Sequence, residues 1–288
     1  LQSPMLGLLD IAILPLGFTD EVVVQYGGNS SGWGSGAVSG TIGLNNTWNR
    51  KHKWSVGLDQ QIGSFGQQQQ QLRWQINRPK FGSSTRLFRQ TADNDFTYRI
   101  RPDLPAKTQS NAALKQSGVL QELYFKPARN HQLSFKIWGQ QTDRQIPPTS
   151  VQTRSVARQT DDFLRTIVDY RYVAQRTVWL AKVAWFTEQQ NYQDAAIGID
   201  ANNDFRVATA EITGEYAATN TALKHRLQGG INYTYFAAEA AAYQQLRRQH
   251  RTALFGAYSW QLAGWRWQIN VRQELVDDQF IPLVPALG

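Results

Sequence analysis

Arginines that alternate with apolar residues are the side chains of this sequence best suited to chemistry. A guanidinium keeps its charge at physiological pH and binds carboxylates and other oxyanions through several hydrogen bonds. The chain carries 30 Lys and Arg against 22 Asp and Glu, a formal net charge of +8. Alternation predicts that five arginines lie on the polar face of their segments, where they contact another part of the chain or an anionic ligand: Arg73, Arg165, Arg171, Arg266 and Arg272.

The other polar residues indicate neither a metal centre nor an active site. Asp93 and Asp95, and likewise Asp200 and Asp204, could offer oxygen ligands to Ca²⁺, but turn and loop chemistry explains the same residues. The four histidines lack metal-ligand spacing, and the chain has no cysteine for disulfides or thiolate sites. No nucleophile elbow, phosphate loop or carboxylate pair is present, so we expect no enzyme activity and no cofactor. Because the arginines form no patch, nucleic-acid binding is not expected.

Eleven segments in which apolar and polar residues alternate position the arginines and the other polar side chains. In 265–272 (WRWQINVR), apolar residues alternate with arginine, glutamine and asparagine, as in a strand with one apolar and one polar face. Many segments exceed the usual strand length of about 5 to 6 residues, and also the roughly 9 to 11 residues that span a bilayer. The predicted strands are 52–63, 67–78, 81–91, 112–126, 131–143, 159–173, 176–190, 204–218, 222–237, 247–261 and 264–276.

The connections between these strands are sorted by length. Short turns mostly alternate with longer polar links at 92–111, 144–158, 191–203 and 238–246, and the short link 64–66 is the one poor fit. Short turns on one side and long loops on the other are typical of outer-membrane barrels. Aromatic residues make up 12% of the chain, which suits interfacial girdles. No apolar run approaches the roughly 18 residues of a spanning helix, so any membrane insertion has to be by strands.

A glycine-rich tract at 21–45, EVVVQYGGNSSGWGSGAVSGTIGLN, is the most specific motif of the chain. Its glycines allow tight turns and close approach to another surface, and the β-branched run before them favours a strand. Taken alone, the tract predicts either an ordinary hairpin with a long glycine loop or two strands packed in a confined space. The motif residues are Tyr26, Gly27, Gly28, Trp33, Gly34, Ser35, Gly36 and Gly40.

The tract resembles the end of the plug domain of TonB-dependent outer-membrane receptors, where a similar string leads into the first barrel strand. Two positions depart from that pattern: Ser39, where a second glycine is usual, and Gly43, in place of a polar or β-branched residue. Both substitutions are small and leave the match intact. The string NDF at 94–96, followed by YR at 98–99, resembles the Bacteroidetes-like branch of the same family.

The resemblance implies an all-β fold, an antiparallel transmembrane β-barrel of 22 strands preceded by a plug. This chain would then hold the C-terminal part of the plug (1–48) and the first half of the barrel (49–288), with about eleven strands. We expect the signal peptide, the TonB box and the last barrel strand to lie outside this sequence.

The function implied by the resemblance is TonB-dependent active uptake of a scarce ligand, such as a ferric siderophore or a cobalamin. It places the protein in the outer membrane of a Gram-negative bacterium. The implied partners are the TonB–ExbB–ExbD energy-coupling complex, outer-membrane lipid, and a small-molecule or metal-chelate ligand. The five arginines named above would then face the barrel lumen or the plug.

Two other classes of protein fit the alternation of apolar and polar residues. A small outer-membrane enzyme or adhesin of about 12 strands requires a barrel that closes on itself and no plug-like segment inside. A secreted β protein that binds glycans requires its tryptophans to form one binding face: Trp54, Trp74, Trp138, Trp179 and Trp185. The odd strand number weighs against the first class, and the sorted loops weigh against the second.

Overall fold

Antiparallel strands make up nearly all of the computed structural model, which describes residues 14–26, 40–48, 50–219, 223–241, 243, 245–262 and 264–287. A short 3-10 helix at Leu16–Phe18 precedes β1 (Glu21–Tyr26), and β1 forms a two-stranded sheet with β2 (Gly40–Asn45). Alternating apolar and polar residues favour strands because the two faces of a strand can then meet different surroundings. Within the described residues, no helix is long and apolar enough to span a membrane.

The main sheet is a meander in which consecutive long strands are hydrogen-bonded neighbours. All eleven predicted long strands are present, with ends that differ by a few residues. Two of the short strands, β6 and β7, pair with each other inside the link between β5 and β8. The strands are β3 (Trp54–Ile62), β4 (Gln68–Asn77), β5 (Phe81–Ala92), β6 (Thr97–Tyr98), β7 (Lys107–Thr108), β8 (Leu114–Phe125), β9 (His131–Gln145), β10 (Arg158–Val173), β11 (Thr177–Asp194), β12 (Ile199–Thr219), β13 (Leu223–Ala240), β14 (Arg247–Leu262) and β15 (Trp265–Val276).

A twelfth position in the sheet, which the sequence did not predict, follows β15. β16 (Gln279–Phe280) and β17 (Val284–Leu287) both pair antiparallel with β15. Phe280 lies opposite Leu275, and Val284 lies opposite Arg272. The four residues 281–284 therefore lie opposite only three residues of β15, 272–274. One extra residue of this kind is a β-bulge. β16 and β17 are therefore two parts of one bulged strand, and Pro282 within the bulge hides the alternation from sequence reasoning.

The sheet is open in the part of the chain that the structure describes. Its order runs from β3 at one edge to β16 and β17, and no described pairing joins these two edges. A self-contained barrel of about 12 strands requires that pairing, so the alternative of a small closed barrel has no support from this fold.

The predicted loop at 191–203 is wrong, because β11 and β12 continue through it to a four-residue turn at 195–198. Asn191 lies opposite Asn202, and its side-chain amide donates to Asn202 Oδ1 at 2.6 Å and to Asp200 Oδ1 at 2.9 Å. Cross-strand hydrogen bonds between polar side chains thus hold a strand pair that has no apolar face. Polar composition made this extension look like a loop, and the sorting of links by length is weaker than predicted.

The two faces of the sheet are inverted relative to a soluble core. Along β15, Trp267, Ile269 and Val271 are 43%, 46% and 40% exposed, whereas Asn270 and Arg272 are 3% and 7% exposed. The same pattern recurs along the other long strands. Soluble sheets bury their apolar face, because water exposure of large apolar areas is unfavourable. The apolar face of this sheet therefore has to meet a partner other than the described parts of the chain.

Aromatic side chains gather on the apolar face beside the short turns. Tyr258 stacks on Trp260 at a centroid distance of 5.3 Å, and Trp260 lies 6.4 Å from Trp267. Several strands away but at the same end, His131 lies 4.9 Å from Tyr172. These rings, whose polar edges can reach water while their faces stay apolar, form a band across the end of the sheet.

The tryptophans named for a glycan-binding face do not come together. Trp54, Trp74, Trp179 and Trp185 are 69%, 50%, 50% and 46% exposed on the apolar face of three different strands. Trp138 lies on the opposite, polar face, where it packs against Phe18. The soluble glycan-binding alternative therefore has no support from the fold.

Candidate functional site

A short segment that flanks the β1–β2 hairpin lies against the polar face of β4, β5, β8 and β9. We call residues 14–20 and 46–48 the docked segment. Its two parts are held together by hydrogen bonds: the Asp20 amide donates to Asn46 Oδ1 at 2.9 Å, and the Asn46 side chain donates to the Phe18 carbonyl at 2.9 Å. The segment is therefore one unit, and its contacts with the sheet are made by Phe18, Asp20, Asn46 and Trp48.

Phe18 is the apolar anchor of the docked segment. It is 5% exposed and meets Phe88 edge to face at a centroid distance of 5.0 Å. Leu120 and Trp138 complete the same cluster. Edge-to-face packing suits the ring quadrupoles, and burial of a phenylalanine stabilises by about 1.5 to 3 kcal/mol. This small cluster fixes the segment on an otherwise polar wall.

Asp20 is the ionic anchor. Its carboxylate accepts a hydrogen bond from Arg86 Nη2 at 2.9 Å and one from the Thr47 amide at 3.1 Å, and it also pairs with Arg73. Arg73 and Arg86 lie directly opposite each other on β4 and β5. Two like charges in that register repel. The Asp20 carboxylate lies between the two guanidinium groups and pairs with both, which offsets their repulsion. The two arginines therefore form a site for one anion on the wall.

The same contacts change the pKa of the Asp20 carboxyl. Burial alone would raise its pKa, but the hydrogen bonds from Arg86 and the Thr47 amide, with the charges of Arg86 and Arg73, outweigh burial and hold the pKa of the carboxyl below its ordinary value. A lowered folded-state pKa means that the stabilisation is complete above the unfolded pKa of about 3.9 and is lost as pH falls through the folded value.

We expect the variant Asp20→Asn to be less stable than the parent protein near neutral pH, with a difference that shrinks as pH falls below about 4. Urea unfolding of the detergent-solubilised protein across this range measures it. Asp103→Asn is the matched control, because Asp103 pairs with Arg101 at 3.2 Å in an exposed loop. A difference between Asp20→Asn and the parent that stays constant with pH contradicts the assignment.

Glu122 lies at the centre of a buried polar cluster beneath Asn46. It is fully buried, and its Oε1 accepts hydrogen bonds from the Asn46 amide and the Tyr124 hydroxyl, both at 3.0 Å. Arg86 Nη2 lies 3.7 Å from Oε2, and Lys136 Nζ lies 3.8 Å from Oε1. A buried carboxylate requires such partners, because its desolvation is otherwise very costly.

Trp48 closes the other end of the docked segment. Its ring stacks on Tyr124 at 5.7 Å with 7° between the planes, and its indole Nε1 donates to Asn77 Oδ1 at 2.8 Å. The indole covers Gly82, where a Cβ atom would lie 2.1 Å from Trp48 Nε1. A glycine is needed at this position of β5 because any side chain would displace the ring.

We expect Gly82→Ala to push Trp48 off Tyr124 and to destabilise the protein by about 1 to 3 kcal/mol, the usual range for overpacking. Urea unfolding gives the free energy, and proteolysis of the docked segment reports its release. Gly57→Ala on the same face of β3 is the control, since its Cβ would meet the nearest atom at 4.0 Å. Equal stability of the two variants would show that the indole does not occupy this place.

Of the predicted arginines, only Arg73 reaches the docked segment. Arg171 and Arg266 lie on the polar face near the short turns, are exposed, and take part in no ion pair among the described residues. They remain predictions for contacts with other parts of the protein or with ligand.

The other two predicted arginines are buried on the polar face without touching the docked segment. Arg165 lies 3.8 Å over the Phe163 ring and 3.7 Å from Glu188. Phe163 and Glu188 also border a cavity of about 500 Å³. Arg272 donates from Nε to Glu274 at 2.6 Å. Both arginines thus have carboxylate partners on the wall itself.

Two of the eight residues of the glycine-rich motif, Tyr26 and Gly40, lie in the described part of the chain. Tyr26 lies opposite Gly40 at the end of the β1–β2 pair, which agrees with the strand–excursion–strand expectation for the tract. Six of the motif residues lie outside the described residues: Gly27, Gly28, Trp33, Gly34, Ser35 and Gly36.

The weak calcium candidates are dispersed. Asp93 and Asp95 lie in the link after β5, and Asp200 and Asp204 lie on β12, within the segment that was predicted as a loop. In the described part of the chain, no three His, Cys, Asp or Glu residues come close enough to hold a metal ion.

Sequence reasoning missed most residues of the site: Phe18, Asp20, Trp48, Arg86, Glu122 and Tyr124. Arg86 and Glu122 each lie in the polar phase of an alternating strand, as do many other polar residues of the sheet, so alternation does not single them out. The available signal was the register of hairpin β4–β5, which places Arg73 opposite Arg86. Two facing arginines in a polar wall predict an anion between them.

Several solved structures with the same fold are iron or siderophore receptors. The siderophore receptor PiuA from Acinetobacter baumannii matches 93% of this chain with a TM-score of 0.68 at 11% identity. A variant of the ferric enterobactin receptor PfeA from Pseudomonas aeruginosa matches 92% with a TM-score of 0.71 at 10% identity. The iron transporter FrpB from Neisseria meningitidis matches 92% with a TM-score of 0.69 at 15% identity.

The chain spans about half the length of these structures, which it covers to 50%, 45% and 48%. No family model and no curated protein matches the sequence. At these identities the comparison establishes the fold, and it confirms that the chain resembles the TonB-dependent siderophore and iron receptors in the architecture of the barrel wall.

Proposed function

We propose that this chain forms part of a TonB-dependent receptor that takes up a scarce ligand across the outer membrane of a Gram-negative bacterium. One observation carries the proposal: the sheet turns its apolar face outward and holds a docked segment on its buried polar face. A lipid-exposed wall with a polar lumen has this arrangement, because strands that span a bilayer alternate apolar-out and polar-in.

The aromatic band at the short-turn end supports the location in a membrane. Tyrosine and tryptophan concentrate at membrane–water interfaces, where the ring is apolar and its polar edge reaches water. Short turns lie on the periplasmic side of outer-membrane barrels. The band of Tyr258, Trp260 and Trp267 is then the periplasmic girdle, and the long link between β5 and β8 faces the outside of the cell.

A ferric siderophore is the ligand class that we favour over a cobalamin. PiuA is a siderophore receptor and PfeA is a ferric enterobactin receptor. Many ferric siderophores are anionic, and on the polar face the buried Arg165 lies beside the cavity at Phe163 and Glu188. Guanidinium groups and aromatic rings together suit an anionic, ring-bearing chelate.

In this proposal, residues 1–48 are the end of a plug and residues 49–288 are barrel wall. The Asp20 and Glu122 contacts attach the plug end to the wall. Energy from the TonB–ExbB–ExbD complex, delivered through a TonB box elsewhere in the receptor, moves more distant parts of the plug while these contacts hold. Outer-membrane lipid surrounds the apolar face of the protein in this proposal. The proposed receptor is neither an enzyme nor a nucleic-acid-binding protein.

Uptake of radioactive iron by the bacterium that expresses this protein tests the proposal. We expect cells to accumulate iron supplied as the ferric enterobactin chelate, and deletion of the gene or addition of a protonophore to abolish accumulation. Cyanocobalamin uptake in the same strains is the comparison. Uptake that survives the protonophore, or uptake of neither ligand, contradicts TonB-dependent transport of these ligand classes.

A further inference from the structure

A groove with positive charge lies on the apolar face of the sheet, at the end opposite the aromatic band. It has a volume of about 250 Å³ and lies across β5, β8, β9 and β10. The alternation of these strands places its main lining residues on the outward face. They are Arg89, Lys115, Ser117, Gln141, Asp143 and Arg158, which we call the outer groove.

The outer groove begins where the apolar surface ends. Leu87 and Val119, which are 42% and 39% exposed, lie opposite each other on β5 and β8. One step further along the same face, Arg89 lies opposite Ser117, and Lys115 follows one step beyond Ser117. The change from apolar to basic residues therefore takes place within about two side-chain rows of the same strands.

Charge in the outer groove is only partly compensated. Arg158 donates to Asp143 through Nε at 2.7 Å and Nη2 at 2.5 Å, so these two groups satisfy each other. Arg89 and Lys115 are exposed and have no ion pair or side-chain hydrogen bond among the described residues. Three cations against one carboxylate leave a net charge of +2 in the groove.

We infer that the outer groove binds the phosphorylated headgroup of a lipid in the outer leaflet. This inference rests on the proposed function, because it requires the apolar face to lie in a membrane. Phosphate accepts hydrogen bonds from Arg and Lys, and basic residues at the edge of a bilayer bind anionic headgroups. The acyl chains of the same lipid lie on Leu87 and Val119. Free phosphate has no apolar part that could contact these two residues.

Arg89 and Lys115 bind the phosphate, and the paired Asp143 and Arg158 set the far wall of the groove. Ser117 and Gln141, between them, can donate hydrogen bonds to the sugar or phosphate oxygens of a headgroup. The groove therefore selects a phosphorylated lipid over a neutral one by charge, and selects lipid over a soluble anion by the adjoining apolar surface.

Native mass spectrometry of the detergent-solubilised protein with added lipid A tests the inference. We expect the parent protein to retain phosphorylated lipid A and not its dephosphorylated form, with inorganic phosphate competing poorly. The double variant Arg89→Gln, Lys115→Gln should weaken binding about thirtyfold, since it removes both free cations. The control Lys126→Gln, Arg129→Gln removes two charges at the opposite end of β8 and β9 and should bind like the parent.

Equal binding by both double variants, or equal binding of the dephosphorylated lipid, overturns the inference. Displacement by millimolar phosphate also overturns it, because the groove would then be a site for a soluble anion. Outer-membrane fractionation and iron uptake of the Arg89, Lys115 variant separate the two proposals. If this variant still inserts and transports while its lipid binding equals that of the parent, only the lipid inference fails. If the parent protein does not reach the membrane, the proposed function fails.

Discussion

Replacement of Arg86 by alanine is expected to lower the free energy of unfolding by about 3 to 5 kcal/mol. Arg86 is 2% exposed, lies within 2.9 Å of Asp20 and 3.7 Å of Glu122, and stands opposite Arg73. Without its guanidinium, the fully buried carboxylate of Glu122 keeps only Lys136 as a nearby cation. A buried charge that loses its partner costs far more than the pair contributed, which is why the effect is large.

Three further variants identify the cause of this loss. Arg86 Nε and Nη1 have no hydrogen-bond partner among the described residues, so the described contacts leave two buried donors of the cluster unpaired. The double variant Arg86→Met, Glu122→Met should therefore recover most of the stability lost in Arg86→Met alone. Arg226→Ala, which breaks an exposed pair with Glu215 at 3.2 Å, should cost under about 1 kcal/mol.

The measurement for this series is urea unfolding of the detergent-solubilised protein, with tryptophan fluorescence as the probe. Proteolysis of the docked segment, read by mass spectrometry, shows whether the segment leaves the wall before the sheet unfolds. If Arg86→Ala is no more destabilising than Arg226→Ala, the cluster does not hold the segment, and Phe18 and Trp48 are its anchors.

Introduction of an arginine at Ile231 is expected to destabilise the membrane-inserted protein by about 2 to 4 kcal/mol. Ile231 is 48% exposed in the middle of β13, between Ile212 and Leu254 on the neighbouring strands. Those neighbours are 54% and 65% exposed. If this face meets lipid tails, a guanidinium there has to leave water without gaining a partner.

Gln228→Arg is the matched control, because Gln228 lies on the same strand but on the polar face. The two variants have the same added charge and differ only in the side of the sheet that receives it. Folding into lipid vesicles, followed by urea titration, gives the free energies, and outer-membrane fractionation gives the effect in cells. Similar losses for the two variants would refute a lipid-facing apolar surface and with it the location that we propose.

The register of the hairpins separates what could be predicted at the site from what could not. Arg73 was predicted to contact an internal segment because it alternates with Leu72 and Trp74, and alternation alone assigns it to the polar face. The same rule assigns Arg86 and Glu122 to that face but gives them no special role. Their role depends on Arg86 lying opposite Arg73, on Glu122 lying one diagonal step away, and on Asp20 arriving from a distant part of the chain.

The errors in the fold prediction have a common cause. The strand extensions at 191–203 and the bulged strand at 279–287 lack the alternation of apolar and polar residues, because their side chains do not separate an apolar from a polar surrounding. Backbone pairing continues there because the neighbouring strand offers free hydrogen-bonding groups. Pairing of this kind depends on the partner strand, and a single segment of sequence carries no signal of it.

The sequence by itself determined the all-β class, the positions of the eleven long strands and which residues share a face. Each strand shows its own alternation of apolar and polar residues, independently of the other strands. Only the tertiary structure decided that the polar face is the buried one in the described protein, and that Asp20 and Trp48 dock there. These features depend on contacts between segments far apart along the chain, such as Asp20 with Arg86 and Asn46 with Glu122. Long-range contacts of this kind are fixed by packing and charge pairing in three dimensions, and local periodicity does not specify them.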